Sequence, residues 1–275
     1  MHDRSRRRLE VVVLAEGRYL GHVQPAGACL GLAARGHAVT LLDVHVLRAD
    51  REASWAEGID AVVARGRSPE LLDVLESLEA RGMPTLNRRA AIAAVRNKAA
   101  MAARLVVAGI PTPRTFAGPP QRLARRVPTA CYPLVVKPVH GDNGRGITTV
   151  SDARELSVLR WSEPTAVAQQ RVPSDGYDLK LYAIGSKIWA VRKPSPLVAG
   201  IVANAAEPVA VTPALQALGR RCGELFGLDL FGADCIETPN GAVVIEVNDF
   251  PNYTAVPDAG ELIAAYVERK LGASG

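Results

Sequence analysis

Apolar and polar residues alternate over the first hundred positions in a way that predicts strands and helices in turn. Short apolar runs predict buried strands, and segments with helical spacing that stop at a glycine predict helices. The predicted strands are 11–14, 38–44 and 61–63, and the predicted helices are 25–35 and 70–81. This strand–helix–strand rhythm is typical of a small parallel sheet covered by helices.

The pattern changes after residue 90, where strands begin to predominate. An amphipathic pattern over residues 90–108 predicts one helix that ends at Gly109, and Pro111 and Pro113 then predict an extended linker. The later predicted strands are 134–138, 147–150, 166–172, 179–184, 187–192, 230–237 and 242–248, with one helix at 213–226. The extended linker marks the predicted end of an α/β domain at 1–110.

The last predicted hairpin gathers acidic and amide side chains on one face. If residues 239–241 form its loop, Asp234 faces Glu246, and strand alternation puts Asn248 on the same face. The opposite, apolar face would carry Ala233, Cys235, Val243, Ile245 and Val247. Two carboxylates this close repel unless a cation lies between them, and Mg²⁺ typically takes one or two carboxylates plus phosphate oxygens. We predict a metal site here, with a solvated face that carries acids by chance as the alternative.

A glycine-rich hairpin precedes this acidic one in the chain. Gly141, Gly144 and Gly146 would let the backbone approach a phosphate chain, and Lys137 comes just before them on a strand. No GKS or GKT follows, so this is not a Walker loop, and an ordinary turn is the alternative. A phosphate loop and a magnesium site in one chain support each other, because each explains the other's ligands.

Composition and charge exclude several classes of function. The chain is 48% apolar and 22% charged, as is ordinary for a soluble globular protein. No apolar stretch is long enough for a membrane span or a signal peptide, so we expect a cytoplasmic protein with no membrane partner. Much of the net charge of +5 comes from a basic start, which we interpret as a solvated tail. Its arginines are Arg4, Arg6, Arg7 and Arg8.

The aromatic and cysteine residues narrow the choice further. Aromatics make up only 5% of the chain and do not alternate with Lys or Arg, so we expect no nucleic-acid partner. The four cysteines are far apart and form no CxxC pair, which indicates reduced, mostly buried thiols. They are Cys29, Cys131, Cys222 and Cys235.

These motifs together resemble the ATP-grasp superfamily, and within it the RimK-like carboxylate–amine ligases. The segments that carry the resemblance are 96–98 with 108–115, 132–138 with the loop to Gly146, 168–172, 178–185, and 231–234 with 244–248 and Pro251. The resemblance covers roughly residues 85–270, with a looser likeness in the preceding domain. It implies an α/β protein in which an N-terminal α/β pre-ATP-grasp domain precedes a two-lobed α+β ATP-grasp fold. The small lobe, with the phosphate loop, is expected at 111–172, and the large lobe, with the metal site, at 173–275.

The resemblance also implies cofactors and roles. The cofactors are ATP and Mg²⁺, with two ions expected and Mn²⁺ as a substitute. For the nucleotide, the resemblance implies Lys98 and Lys137 at the phosphates, Gly141, Gly144 and Gly146 in the phosphate loop, Gln169, Gln170, Arg171 and Val172 at the adenine edge, and Asp178 at the ribose or the substrate. For the metal, it implies Asp234, Glu246 and Asn248. The implied catalytic cations, at the γ-phosphate or an anionic substrate, are Lys180, Arg192 and Lys193. The implied partners are a small-molecule carboxylate and an amine, together with a second copy of the chain, since ATP-grasp enzymes are often dimers.

Two stretches depart from the ligases and leave the reaction open. Residues 192–200 lack the arginine- and histidine-bearing stretch of the glutamate-adding ligases, and 249–253 replaces their small residue followed by Pro-Gly. In both stretches the sequence is more similar to that of ATP-grasp inositol-phosphate kinases than to that of the ligases. A carboxylate–amine ligase that forms an acyl phosphate is therefore the main expectation. A kinase acting on a hydroxyl of a polyol or its phosphate is the alternative, and a regulatory nucleotide-binding protein without turnover is the third. In the N-terminal domain, Arg18, Arg65 and Arg67 are expected to meet an acidic substrate.

Overall fold

The computed structural model describes residues 7–49, 54–141, 144–195, 197 and 206–272. The first arginines of the basic start, Asp142 and Asn143 of the glycine loop, and most of 196–205 lie outside the described residues. Among the helices described, none combines the length and apolar character needed to cross a membrane.

The N-terminal part forms a four-stranded sheet whose paired strands are all parallel, as the alternating pattern predicts. Its strands, in the spatial order β2-β1-β3-β4, are β1 (Glu10–Ala15), β2 (Ala38–Asp43), β3 (Ala61–Arg65) and β4 (Thr85–Leu86). Its helices are α1 (Val23–Ala34) and α2 (Pro69–Ala80). Every residue of β3 is buried, which explains its apolar run from Ala61 to Ala64, because parallel strands are covered on both faces.

The prediction of one helix over 90–108 was wrong, because the structure has two. They are α3 (Arg89–Arg96) and α4 (Lys98–Val107). Asn97 between them is extended, and its side chain accepts hydrogen bonds from the N–H groups of Ala99 and Ala100 at 3.1 and 3.0 Å. An asparagine that caps a helix in this way favours a new start over continuation. The break sets Lys98 at the first turn of α4, where its side chain is buried.

Two antiparallel sheets follow. The smaller has the order β5-β8-β6-β7, with β5 (Thr115–Gly118), β6 (Leu134–Pro138), β7 (Thr148–Val150) and β8 (Ala166–Gln170), and it carries α5 (Pro120–Arg126) and α6 (Ala153–Val158). The larger has the order β11-β10-β9-β12-β13, with β9 (Tyr177–Ile184), β10 (Lys187–Pro194), β11 (Glu207–Val209), β12 (Leu230–Thr238) and β13 (Gly241–Asp249). It packs against α7 (Pro213–Phe226). The predicted fold class is confirmed, although β4, β5, β11, α5 and α6 were not foreseen.

The β12–β13 hairpin differs from its prediction in the length of its loop and in a β-bulge. Thr238 pairs with Gly241, so the loop is one residue shorter than expected, yet Asp234 still pairs with Glu246. A β-bulge restores the pairing by leaving Ile245 without a partner residue on β12. The predicted apolar face is therefore wrong at Val243 and Ile245. The buried residues of β13 on that face are Val244 and Val247.

The last helix, α8 (Ala259–Gly272), was also not foreseen, and it packs against α1 of the N-terminal domain. A Cβ added to Gly31 would lie 2.6 Å from the carbonyl oxygen of Gly260, and one added to Gly260 would overlap the carbonyl oxygen of Gly27. Only glycine allows the two helices to approach so closely. Arg35 at the end of α1 pairs with Glu261 and Glu268 of α8. The apolar core of this contact includes Ile263, Ala264 and Val267.

Candidate functional site

A cleft of about 660 Å³ lies where the three sheets meet. One wall comes from β6 and β8 of the smaller sheet, and the floor comes from β9, β12 and β13 of the larger one. The third side comes from residues just beyond the carboxyl ends of β1 and β3. In open α/β sheets this edge is where ligands commonly bind. Of the predicted site residues, the cleft lining includes Lys137, Gly144, Gln169, Gln170, Arg171, Val172, Asp178, Lys180, Lys193, Asp234, Glu246 and Asn248.

Two acidic residues and a lysine lie side by side on three neighbouring strands. Lys180 on β9 pairs in register with Asp234 on β12, which pairs in register with Glu246 on β13. Lys180 Nζ lies 2.6 Å from Asp234 Oδ1, and Asn248 Nδ2 donates to Asp234 Oδ2 at 3.4 Å. Burial alone lowers the pKa of Lys180, but the adjoining Asp234 carboxylate outweighs it and holds that pKa above its usual value. Asp234 is thus paired with one lysine of the neighbouring strand, Lys180.

Two further lysines approach from the opposite side. Lys98 Nζ lies 3.0 Å from Glu246 Oε1 and donates to the Gly141 carbonyl oxygen at 2.6 Å. Lys137 Nζ donates to Gln169 Oε1 at 2.9 Å and to the Ile245 carbonyl oxygen at 3.4 Å. Burial lowers the pKa of Lys137, against the opposing pull of the Glu246 carboxylate. A buried ammonium held mainly by neutral oxygens is well suited to an incoming anion.

The predicted adenine-binding segment continues from the end of β8. The N–H of Gln170 donates to the Arg114 carbonyl oxygen at 2.8 Å, and the N–H of Arg171 donates to that of Pro133 at 2.9 Å. Among the described residues, no backbone acceptor is recorded for the N–H of Val172. Apolar side chains wall the cleft near this segment, and they are Val135, Ile147, Ile236 and Ile245. The bulge at Ile245 therefore contributes a side chain to the cleft wall and also keeps Asp234 paired with Glu246.

The glycine loop borders the cleft at one point. Gly144 lines it, and both Gly144 and Gly146 have φ of +70°, a backbone conformation that disfavours other residues. Gly141 lies below the loop, where its carbonyl oxygen accepts the Lys98 hydrogen bond. The structure thus brings the loop and the first lysine together.

Asp178 and Lys193 pair in register at the far end of the floor, on β9 and β10. Burial raises the pKa of Asp178, against the opposing hydrogen bond from Ser195. Burial also lowers the pKa of Lys193, and the nearby charge of Lys180 adds to this effect. Both shifts favour the neutral form of each side chain.

Arg192 is not brought together with the other candidates. It pairs with Leu179, on the face of the sheet opposite Lys180, and it forms an ion pair with Asp175. Its guanidinium also lies 4.1 Å from the centre of the Tyr177 ring. Neighbouring residues of a strand point to opposite faces, so Arg192 and Lys193 cannot both face the cleft.

The N-terminal edge contains residues that sequence reasoning missed. Arg65 and Arg67 line the cleft as expected, together with Tyr19, His22 and Asn252, which were not foreseen. Arg65 Nη2 donates to Asn252 Oδ1 at 2.8 Å, and its guanidinium lies 4.7 Å from the centre of the Tyr19 ring. The position of Tyr19 and His22 just after the first strand of a parallel sheet is the signal that could have identified them.

Arg18, by contrast, lies away from the cleft lining, and its Nη2 atom is 2.7 Å from Glu16 Oε2. Ser174, Ser195, Asp249 and Thr254 also line the cleft without having been predicted.

The donor set fits a nucleotide with a hard metal ion. Asp234 and Glu246 supply carboxylate oxygens, and Asn248 supplies an amide oxygen that already accepts from Arg67 Nη2 at 3.1 Å. Among the described residues, no three His, Cys, Asp or Glu side chains cluster as metal ligands. Two carboxylates suffice for Mg²⁺, which usually completes its shell with phosphate and water oxygens. The buried ammonium groups of Lys98 and Lys137 are the matching partners for phosphate oxygens.

Comparisons with known proteins identify the family of the chain. The family model of the RimK-like ATP-grasp domain matches residues 95–267. A probable alpha-L-glutamate ligase of Stutzerimonas stutzeri is 26% identical over 269 residues, covering 86% of this chain and 89% of that protein.

Solved structures share the fold. The RimK domain protein ATP-grasp from Sphaerobacter thermophilus superposes with a TM-score of 0.75 at 24% identity, covering 94% of this chain and 98% of that one. The ATP-grasp ligase PsnB, solved with a minimal precursor, Mg and ADP, has a TM-score of 0.70 at 20% identity, covering 97% and 98%.

Proposed function

Because the chain belongs to the RimK-like ATP-grasp family, we propose that it is an ADP-forming ligase that joins a carboxylate to an amine through an acyl phosphate. Enzymes of this family use ATP and Mg²⁺. The observation that carries the proposal is the grouping of three lysines around two paired carboxylates, with all of these residues except Lys98 in the cleft lining and Lys98 paired with Glu246 beside it. These residues are Lys98, Lys137 and Lys180, with Asp234 and Glu246.

We assign the phosphate end of ATP to the two buried lysines beneath the glycine loop. Lys98 and Lys137 would neutralise the α- and β-phosphates, and Gly144 would let the loop backbone cover them. The N–H of Val172 is the donor we assign to the adenine edge, because the N–H groups of Gln170 and Arg171 already have backbone acceptors. Apolar side chains from β6, β12 and β13 would enclose the ring.

We assign the metal to Asp234, Glu246 and Asn248, whose oxygens would hold one or two Mg²⁺ ions, or Mn²⁺, between protein and phosphates. Bound there, the ion would supply charge neutralisation for the transferring phosphoryl group. Lys180, already 2.6 Å from Asp234, would stand beside the γ-phosphate, and Lys193 beyond it would meet the substrate carboxylate.

The reaction then needs positioning more than covalent help from the protein. A carboxylate oxygen attacks the γ-phosphorus as the bond to the ADP oxygen breaks, giving an acyl phosphate and ADP. The amine nitrogen next attacks the acyl carbon, inorganic phosphate leaves, and the nitrogen loses a proton. The lysines hold the anions in line and offset their mutual repulsion.

Hydroxylamine trapping tests the proposal. The purified protein, ATP and Mg²⁺ would be incubated with single carboxylates and with hydroxylamine in place of an amine, starting from dipeptides and L-glutamate because a curated relative is a probable glutamate ligase. We expect a carboxylate-dependent hydroxamate with one ADP per product, detected by mass spectrometry.

Glu246→Gln is the matched negative control, since it removes a charge from the metal end and keeps the shape. A stable phosphorylated alcohol from a polyol, without hydroxamate from any carboxylate, would replace the ligase with the kinase. ATP binding with no ADP release from either substrate class would replace it with a regulatory role.

A further inference from the structure

Glu16, the residue after β1, holds the loop that follows β3. Its carboxylate is buried, and Oε1 accepts hydrogen bonds from the N–H groups of Arg67 and of Ser68, the latter at 2.7 Å. Gly66 makes room for it, because a Cβ added there would lie 2.7 Å from the carboxyl carbon of Glu16. The backbone of Arg67 is thus fixed by a side chain from the neighbouring strand.

The Arg67 side chain extends from this fixed backbone into the cleft. Its Nη2 atom donates to Asn248 Oδ1 at 3.1 Å and lies 3.2 Å from Asp249 Oδ1. Asn248, which accepts the hydrogen bond, and Asp249, which forms the ion pair, are both at the end of β13. A single guanidinium therefore links the N-terminal sheet to the strand that bears two of the assigned metal ligands. The Arg67 and Asp249 side chains are largely buried, which limits the competition from water.

The contact determines which end of the Asn248 amide is presented. An asparagine side chain can turn either its oxygen or its NH₂ group toward a neighbour, and the two have nearly the same shape. A guanidinium is a donor only, so Arg67 binds the amide oxygen. The NH₂ group is then left to donate to Asp234 Oδ2, at the longer distance of 3.4 Å. The amide oxygen has a second lone pair, which is the one that a metal ion would use.

We propose that Glu16 is a positioning residue for the metal end of the cleft, acting through Arg67 to hold the Asn248 amide with its oxygen available to the ion. This inference rests on the proposed function, which makes Asn248 a metal ligand. It assigns the N-terminal sheet a role in metal binding that is separate from any contact with the substrate. Residues that orient metal ligands commonly change metal affinity by roughly 10- to 100-fold when they are removed.

Binding of Mn²⁺ gives a readout that does not depend on turnover. The full chain would be titrated with Mn²⁺ in the presence of the non-hydrolysable ATP analogue AMP-PNP, and free Mn²⁺ followed by electron paramagnetic resonance. We expect Glu16→Ala and Arg67→Met each to weaken Mn²⁺ binding roughly 10- to 100-fold. AMP-PNP binding in EDTA should change by less than about twofold, because the assigned phosphate lysines are untouched.

Three further variants separate positioning from simple loosening of the loop. Glu16→Gln keeps a carbonyl oxygen for the same two N–H groups and should stay within about threefold of wild type. The double variant Glu16→Ala/Arg67→Met should be no weaker than the poorer single variant, because both act through one path. Ser68→Ala removes the cap of α2, where Ser68 Oγ accepts from the Leu71 N–H at 3.2 Å. It should lower the melting temperature yet keep Mn²⁺ affinity.

The outcomes are distinguishable. Additive losses in the double variant, or a loss in Ser68→Ala as large as in Glu16→Ala, would overturn the positioning role and leave the proposed function intact. Unchanged Mn²⁺ affinity in Glu16→Ala would do the same. If Glu16→Ala does not fold, Arg67→Met tests the proposal instead, since it removes the guanidinium that contacts Asn248 and leaves the Glu16 hydrogen bonds in place. Absence of Mn²⁺ binding by the wild-type chain would overturn the assigned metal site itself.

Discussion

Replacement of Lys137 by methionine should change nucleotide affinity and stability in opposite directions. The Lys137 side chain is buried at 4% exposure, and its recorded hydrogen bonds go to the neutral oxygens of Gln169 and Ile245. Burial lowers its pKa, which means that the folded protein holds the charged form at a cost. Methionine has a similar length and no charge, so Lys137→Met removes that cost together with the partner for a phosphate.

The two magnitudes follow from the contacts. A hydrogen bond between charged groups contributes about 1.5–3 kcal/mol, so loss of the phosphate contact should weaken ADP binding by roughly 10- to 150-fold. Replacement of a buried ionic group by an apolar one of similar volume is neutral or stabilising by up to about 4 kcal/mol. The side-chain oxygen of Gln169 loses its donor and offsets part of this gain. We expect a net gain of about 1 kcal/mol, or a rise of about 2–4 °C in melting temperature.

Isothermal titration calorimetry with ADP and Mg²⁺ measures the first quantity, and thermal unfolding followed by circular dichroism without nucleotide measures the second. Lys187→Met is the matched control, because Lys187 is an exposed lysine on β10 outside the cleft. It should leave both quantities unchanged. A Lys137→Met protein that melts at a lower temperature and binds ADP as wild type does would refute the reasoning, since Lys137 would then be a structural cation.

Four further expectations follow from the described contacts. Glu246→Gln should abolish most ADP release at saturating Mg²⁺, and near-normal turnover would contradict the metal assignment. Gly260→Ala should destabilise the fold by about 1–3 kcal/mol through overlap with the Gly27 carbonyl group, and an unchanged melting temperature would count against the close helix contact. The raised pKa of Asp178 means that its carboxylate costs stability above the folded-state pKa and costs nothing once pH falls below the unfolded value of about 4. Asp178→Asn should therefore melt higher than wild type at pH 8 and lose that advantage at low pH, and a pH-independent difference would contradict it. Arg192→Met should change ADP release by less than about twofold, because Arg192 faces Asp175 outside the cleft, whereas a large loss would restore it to the site.

The acidic hairpin could be predicted because its information is local. Alternation along two strands joined by a short turn sets which side chains share a face. Together with an assumed three-residue loop it paired Asp234 with Glu246, and this pairing is confirmed because the bulge compensates for a loop that is one residue shorter. The bulge that preserves this pairing could not be predicted, since nothing in the sequence distinguishes Ile245 from its apolar neighbours.

The other differences have similar causes. The helix break at Asn97 carried a signal, because asparagine is a common helix cap, but the amphipathic pattern on both sides concealed it. Alternation alone excludes Arg192 and Lys193 from sharing a face, yet it does not say which one faces the cleft. The role of α8 and the contact of Arg67 with Asn248 join residues more than 180 positions apart, and no short-range pattern records such a contact.

The packing of α8 on α1 has a consequence for the order of events during synthesis. Ala28 and Leu32 of α1 share an apolar cluster with Ile263 and Val267 of α8. The first helix therefore cannot bury this face until the last helix has been synthesised. At roughly 5–20 residues per second, the ribosome needs about 10–45 s to pass from one to the other. During that interval the nascent chain exposes the apolar face of α1. Chaperone capture on the ribosome should therefore concentrate in this window and end as α8 emerges.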